Sequence, residues 1–228
     1  CIINDYADRW LDPHVARTQR RPLATGALSG RFALLAFAAL MLLAFGLVCL
    51  TNTRTVLWSV AALAVTVIYP YCKRIIGAPQ LVLGVAFSMG IPMAWAAHDR
   101  IPDLQAAVLF LSNLLWTTAY DTQYAMVDRD DDRRMGAKST ALLFGGWDRL
   151  AIGLLQLFAL ASMLWLGQIA GLAWPYGLAL LAVAALFVLQ QRWIRQRLPV
   201  WCFQAFRSNH WVGLLWFVGV AAALALQH

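Results

Sequence analysis

The 228-residue chain contains no glutamate: all 11 of its acids are aspartates, and charged residues make up only 13% of it. A soluble domain carries about 25% charged residues, so a solvated globule is excluded. The four cysteines, Cys1, Cys49, Cys72 and Cys202, show no C-x-x-C spacing, and Cys49 and Cys72 lie in apolar runs. That pattern argues against a disulfide framework or a zinc site. The long apolar runs also lack mid-span acids, which a cation-coupled transporter would be expected to carry. The D-G-x-x-A-R signature of CDP-alcohol phosphatidyltransferases is absent. An initiator Met is missing too. The chain opens at Cys1 in the middle of a motif, so an N-terminal portion is expected ahead of it.

What is present is hydrophobic: 61% of residues. Uncharged runs cover Phe32–Thr53, Thr55–Cys72, Ile75–Ala97, Leu104–Tyr120, Leu150–Gln191 and Ser208–His228. A bilayer-spanning helix needs roughly 20 apolar residues. The 42-residue run Leu150–Gln191 is long enough for two spans, with Gly167, Gly171 and Pro175 supplying the turn. The expected architecture is an all-α, polytopic transmembrane bundle. Seven spans are expected, near 30–50, 54–72, 76–97, 103–121, 146–168, 172–191 and 207–227, after a remnant of an earlier helix.

With these spans in place, sixteen of the eighteen Lys and Arg residues fall on one side, leaving only Arg54 and Arg100 opposite. Basic residues collect in short cytoplasmic loops, so this side is expected to face the cytoplasm. Nine aspartates share it. The positive-inside bias does not require acids, so they need another explanation.

They fall mainly in two motifs. One reads Asn4-Asp5-Tyr6-Ala7-Asp8-Arg9-Trp10-Leu11-Asp12, the other Asp121-Thr122-Gln123-Tyr124-Ala125-Met126-Val127-Asp128-Arg129-Asp130-Asp131-Asp132. Positions 4, 8, 12 and 124, 128, 132 share a spacing of four, which stacks side chains on one face of a helix. Like charges at that spacing weaken a helix, so their repetition beside a membrane points to a bound cation. Clustered carboxylates are hard oxygen ligands suited to Mg²⁺, which is commonly shared with substrate phosphates. Arg17, Arg20 and Arg21 follow the first motif, and Lys138 and Ser139 follow the second. Tyr69 and Lys73, with Arg74 adjacent, stand at the same end of a span. These are candidate phosphate contacts, although each alone also suits a positive-inside anchor. His14 is a ligand or a plain loop residue. Trp116 and Tyr120 suit packing better than a cavity wall.

The run N-D-x-x-D-x-x-x-D, the following V-A-R-T-x-x-R-P-L-A-T-G, and the later Y-D-T-x-Y-A-M-x-D-x-D-D-D-x-x-x-G-x-K-S-T resemble the UbiA superfamily of intramembrane prenyltransferases. The second motif is most similar to the branch that prenylates 4-hydroxybenzoate in ubiquinone biosynthesis. The resemblance runs from Cys1 to the C-terminus and is dense at 4–26, 69–74 and 120–145. It implies a single transmembrane prenyltransferase domain over residues 1–228. Family members have nine helices, and the first motif ends the second of them, so the first helix and most of the second are expected to be missing here.

The resemblance further implies an Mg²⁺-dependent transfer from a polyprenyl diphosphate to the 4-hydroxybenzoate carbon ortho to the hydroxyl. Asn4, Asp8, Asp12, Asp128 and Asp132 would hold the metal. Arg17, Arg21, Lys73 and Lys138 would bind diphosphate. Arg74 would bind diphosphate or the benzoate carboxylate, and Asp5 and Asp121 would position the acceptor or neighbouring groups. Tyr69, Tyr124 and Ser139 complete the substrate-binding set. The other partner is membrane lipid, with no nucleic acid, and a bacterial inner membrane is the expected location. The alternatives are another aromatic acceptor or, less in keeping with the acid placement, a transporter.

Overall fold

The computed structural model describes residues 1–15 and 17–227. Ala16, in the tail of the first motif, and His228 lie outside them. Among the described residues all regular structure is helical. A short α1 (Ile2–Asp8) precedes α2 (Gly30–Val48), α3 (Thr53–Ile75), α4 (Pro79–Ser88), α5 (Gly90–Ala97) and α6 (Leu104–Val127). Then come the short α7 (Arg129–Met135) and α8 (Thr140–Phe144), followed by α9 (Asp148–Ile169), α10 (Trp174–Trp193), α11 (Pro199–Arg207) and α12 (Asn209–Ala225).

Local chemistry sets many of these boundaries. Ser29, Asn52 and Asp103 cap α2, α3 and α6 by accepting the amides of Phe32, Thr55 and Ala106, which satisfies otherwise orphaned donors. Prolines occupy the first turns of α4, α10 and α11, where a missing N–H costs nothing. The expected span 76–97 is broken between α4 and α5, because Pro92 cannot donate to the Ser88 carbonyl.

The last apolar stretch begins earlier than the expected 207. Residues 199–207 form α11, which runs on into α12 as one stretch of 27 residues. The join bends at Ser208. Its hydroxyl donates to the Ala205 carbonyl (2.7 Å), and the Asn209 amide donates to Ala205 and Phe206 (3.0 and 3.1 Å). Side chains thus compete for carbonyls that a straight helix would use.

Among the described residues six stretches are long and apolar enough to cross a bilayer: 30–48, 53–75, 79–97, 140–169, 174–196 and 199–225. The expected fourth span is α6, 24 residues long but too polar to count among them. It is the central helix, packed on α4, α9 and α11, while α10 joins α9 to α12. Val108, Met163, Leu166, Tyr176, Leu180 and Trp216 form the apolar core between them. Close helix approach there depends on glycine: a Cβ on Gly167 would lie 2.5 Å from the Tyr176 ring, and one on Gly219 2.4 Å from Ala179. Small residues at helix contacts are the usual means of dense packing in lipid. By contrast, α2 buries only Ala33.

An amide network ties α6, α9, α10 and α12 together. Gln123 and Gln156 both donate to the Gln190 carbonyl oxygen (3.1 and 2.7 Å), and Gln190 donates to Ser208 (2.9 Å). Asn209 donates to Gln123 (3.0 Å) and accepts from the Trp116 indole (2.9 Å). The segments bearing the two motifs, Lys73 and Asp148 meet at one end of this bundle, while Asp99, Arg100 and Asp103 lie apart from them beside Asn52.

Candidate active site

Neither motif is a continuous helix, which corrects the simple i,i+4 picture. In the first, α1 stops at Asp8, and Asp12 opens a 3-10 turn over Asp12–His14. Pro13 disfavours a helical Asp12, and the Leu11 amide closes a turn on the Asp8 carbonyl (2.8 Å). In the second, Asp128 sits between α6 and α7 with φ −96° and ψ 8°. Tyr124 therefore belongs to α6 and Asp132 to α7. The chain bends at both motifs, and an unbroken helix would have stacked their like charges.

The bends bring both motifs to one cavity of about 300 Å³. Fourteen of the fifteen candidate residues line it: Asn4, Asp5, Asp8, Asp12, Arg17, Arg21, Tyr69, Lys73, Asp121, Tyr124, Asp128, Asp132, Lys138 and Ser139. Leu11, Val15, Pro70, Leu83 and Phe87 give the cavity an apolar wall. Arg74 is the exception. One residue further along α3 than Lys73, it turns away and donates to the Ala7 carbonyl at the end of α1 (2.6 Å), with Trp10 and Tyr71 beside its guanidinium. The structure gives it the work of a helix cap, away from the cavity.

Acids and bases inside the cavity interleave. Arg17 binds Asp128 through two bonds, Nε to Oδ1 at 3.1 Å and Nη2 to Oδ2 at 2.5 Å, while its guanidinium lies 4.3 Å from the Tyr124 ring centre. Arg21 bridges Asp5 (2.8 Å) and Asp12 (3.1 Å), and Lys73 holds Asp8 (2.9 Å). Thus a base from the first motif's tail neutralises an acid of the second motif. The Lys138 amide donates to the Lys73 carbonyl (2.8 Å), and its ammonium to Ile75 (2.7 Å), docking the loop after α7 onto the end of α3.

Asp8 and Asp12 are only 4% exposed. Burial raises the Asp12 carboxyl above its ordinary range, despite the opposing pull of Arg21. Asp132 is pushed up to about 7, first by burial and then by the negative charge of Asp128. Carboxylates that burial and mutual repulsion disfavour are stabilised by added positive charge. Their hard oxygens, beside bases that suit phosphate, fit Mg²⁺ shared with a diphosphate. Among the described residues no three acids gather tightly enough to hold a metal by themselves. A metal shared with phosphate oxygens has no need of such a cluster.

Sequence reasoning missed several residues. Gln80 lines the cavity and accepts the Thr140 amide (2.9 Å), fixing the segment after Ser139. Thr18 donates to the Asp12 carbonyl (3.1 Å), shaping the turn. Behind the second motif, Asp148 binds Arg129 and Arg197. Its signal was available: it is the one acid after Asp132, just ahead of the 42-residue uncharged run.

These features define an integral, multi-pass membrane protein with an acid- and base-lined head-group cavity at one end and an apolar wall beside it. The chain belongs to the UbiA prenyltransferase family, which it matches over residues 1–213. It is 54% identical to a 4-hydroxybenzoate octaprenyltransferase of Chromohalobacter salexigens over 224 residues, covering 98% of this chain and 75% of the relative. A protein of the same name from Xanthomonas campestris pv. campestris is also 54% identical, over 231 residues, covering 100% of this chain and 75% of the relative. Among solved structures, an apo UbiA homologue from Aeropyrum pernix K1 superposes with a TM-score of 0.86 at 27% identity, covering 98% of this chain and 83% of that one. A UbiA homologue from Archaeoglobus fulgidus, bound to GPP and Mg²⁺, shares the fold, with a TM-score of 0.69 at 16% identity, covering 98% and 81%.

Proposed function

We propose that this protein transfers a polyprenyl group from polyprenyl diphosphate to the 4-hydroxybenzoate carbon ortho to the hydroxyl, in the membrane branch of ubiquinone biosynthesis. The observation that carries this reading is the meeting of both aspartate motifs and four bases, Arg17, Arg21, Lys73 and Lys138, in one cavity with an apolar wall. The names of the relatives support the acceptor and the class of donor. The relative bound to GPP and Mg²⁺ supports the same head-group chemistry. A bacterial inner membrane, with the cavity opening to the cytoplasm, fits the bias of basic residues toward this end.

Asn4, Asp8, Asp12, Asp128 and Asp132 would hold Mg²⁺. When bound, the metal neutralises charge that builds on the departing diphosphate. The residues of the chain do the rest. Arg17, Arg21 and Lys73 now neutralise Asp128, Asp5, Asp12 and Asp8. When diphosphate enters, these bases turn to its oxygens and free the carboxylates, so phosphate and metal binding favour one another. Lys138 and Ser139 reach the diphosphate from the loop after α7, and Tyr69, Asp121 and Tyr124 line the acceptor side. Leu83, Phe87 and their apolar neighbours keep water from the carbon. The C1–O bond breaks, diphosphate leaves with the bonding electrons, the aromatic ring attacks C1, and the ring carbon loses its proton. Excluding water protects the allylic cation from being quenched.

The test is direct. In liposomes with Mg²⁺, a prenyl diphosphate and 4-hydroxybenzoate, mass spectrometry should find the 3-prenyl product, and chelation of Mg²⁺ should abolish it. Transfer only to a naphthoate or to haem would refute the acceptor.

A further inference from the structure

Asp148, the first residue of α9, has a fully buried side chain. Two guanidiniums reach it. Arg197 donates from Nη2 (2.8 Å) and Nε (3.1 Å), and also binds the Gly146 carbonyl (2.8 Å). Arg129 approaches from the other side, largely buried itself, with a buried Nε that has no hydrogen-bond partner among the described residues. The Arg149 amide adds a third donor (2.6 Å).

Burying a guanidinium is costly unless it is well paired, and one arginine would suffice to neutralise Asp148. The two arms differ in where their backbones lead. Arg197 stands in a left-handed turn between α10 and α11, and neither helix contributes to the cavity. Arg129 directly follows Asp128 and begins α7. At this break, successive side chains are pulled in opposite directions: Asp128 forward to Arg17, Arg129 backward to Asp148. The direction in which α7 leaves α6 sets where Asp128 and, one turn on, Asp132 point.

We infer that Asp148 is a positioning residue for the second motif: through Arg129 it fixes the α6–α7 break so that Asp128 and Asp132 face the diphosphate cavity together. This rests on the reading of those two aspartates as metal ligands. Partners that orient metal ligands typically change metal affinity by about 10–100-fold when removed.

The experiment titrates Mn²⁺ by electron paramagnetic resonance into the purified full chain in lipid nanodiscs, with saturating inorganic diphosphate. Thermal unfolding is followed in parallel. Asp148→Asn and Arg129→Gln should each weaken Mn²⁺ binding by about tenfold or more, and Arg129→Lys should recover part of that loss. Arg197→Gln loosens the same carboxylate from the side that carries no cavity residue. It should lower the unfolding temperature yet change Mn²⁺ affinity by less than roughly threefold, below the range typical of ligand-orienting partners. If Arg129→Gln and Arg197→Gln weaken Mn²⁺ equally, or neither does, the cluster is a stability element and the inference is overturned. Should Asp148→Asn fail to fold, the two arginine variants decide the matter alone. Asp128→Asn reports on the underlying reading. If it binds Mn²⁺ like the parent, the metal-ligand assignment fails and the positioning role falls with it. A loss with Asp128→Asn but none with Arg129→Gln defeats positioning only.

Discussion

Two groups of ion pairs occupy the same end of the bundle and differ in whether their carboxylates line the cavity. The carboxylates of Asp5, Asp8, Asp12 and Asp128 line a cavity of about 300 Å³ and keep 5–27% side-chain exposure; behind it, Asp148 lines no part of that cavity and keeps none, although its partners Arg129 and Arg197 keep 17% and 37%. On the proposed function, the cavity pairs would be exchanged for substrate charge, since they line open space and each base suits phosphate as well as carboxylate. The rear pair has no such alternative. On that reading the same two side-chain types would serve as a replaceable lining in one place and a permanent fastening in the other.

The largest effect should come from the cavity. Asp128→Asn is expected to lower turnover by on the order of 10²–10³-fold, the scale of losing a group that stabilises transition-state charge, while the unfolding temperature stays near the parent's. Prenyl transfer and thermal unfolding measured on one preparation check both halves. Asp148→Ala should invert the pattern of stability. Leaving two arginines facing a buried gap should cost about 3–5 kcal/mol, read from denaturant-induced unfolding in mixed micelles. Equal stability losses for the two variants would erase the contrast.

Lys73 and Arg74 sharpen it further. Lys73→Ala should lose at least about tenfold in kcat/KM for the prenyl diphosphate, or about 1.4 kcal/mol. Arg74→Ala removes a cap from α1 and should cost only about 1 kcal/mol of stability, with a smaller kinetic change. A larger kinetic loss for Arg74 than for Lys73 would return Arg74 to the substrate.

The cavity should also answer to pH. Burial and the neighbouring Asp128 push the Asp132 carboxyl up to about 7, and its proton must leave before the carboxylate can accept a cation. Mn²⁺ affinity should therefore rise about tenfold from pH 6 to pH 8, as one displaced proton requires. The folded protein binds this proton more tightly than the unfolded chain. Without metal, the Asp132 contribution to stability is thus present at acid pH and lost as pH rises from about 4 through 7. Opposite slopes for affinity and stability would identify the group, and Asp132→Asn should flatten both.

Much of this was legible in the sequence. Apolar runs gave the long helices, and the one-sided charge brought residues 1–29, 73–75, 122–145 and 192–206 to one end. The fifteen candidate residues came from type and spacing together with the family resemblance, and all but Arg74 line the cavity. What could not be read was direction. Residues 73 and 74 look equivalent in a string, yet adjacent positions on a helix point about 100° apart, and only packing decides which faces inward. The bends at Asp12 and Asp128 were hidden for a related reason: an i,i+4 pattern survives in sequence whether or not the helix does. Asp148 stood out as the one acid after Asp132, but its role was hidden because its partners lie 19 and 49 residues away.

The polarity of α6 bears on how the protein enters its membrane. This helix carries Ser112, Asn113, Thr117, Thr118, Thr122 and Gln123 through its middle and end, and it is not apolar enough to rank with the six candidate spans. An unsatisfied polar group in hydrocarbon costs several kcal/mol. The hydroxyls of Ser112, Thr118 and Thr122 donate to carbonyls of α6 itself, and further partners come from other helices: Ser112 has Ser162, Asn113 has Ser88, Thr122 has Thr140, and Gln123 has Gln190 and Asn209. Four of these partners, Thr140, Ser162, Gln190 and Asn209, are made later in the chain than α6. The amides of Asn113 and Gln123 cannot be satisfied within the helix in the same way, and the full set of partners for α6 exists only once α8, α9, α10 and α12 have been synthesised, so the last helices complete the environment of an earlier one.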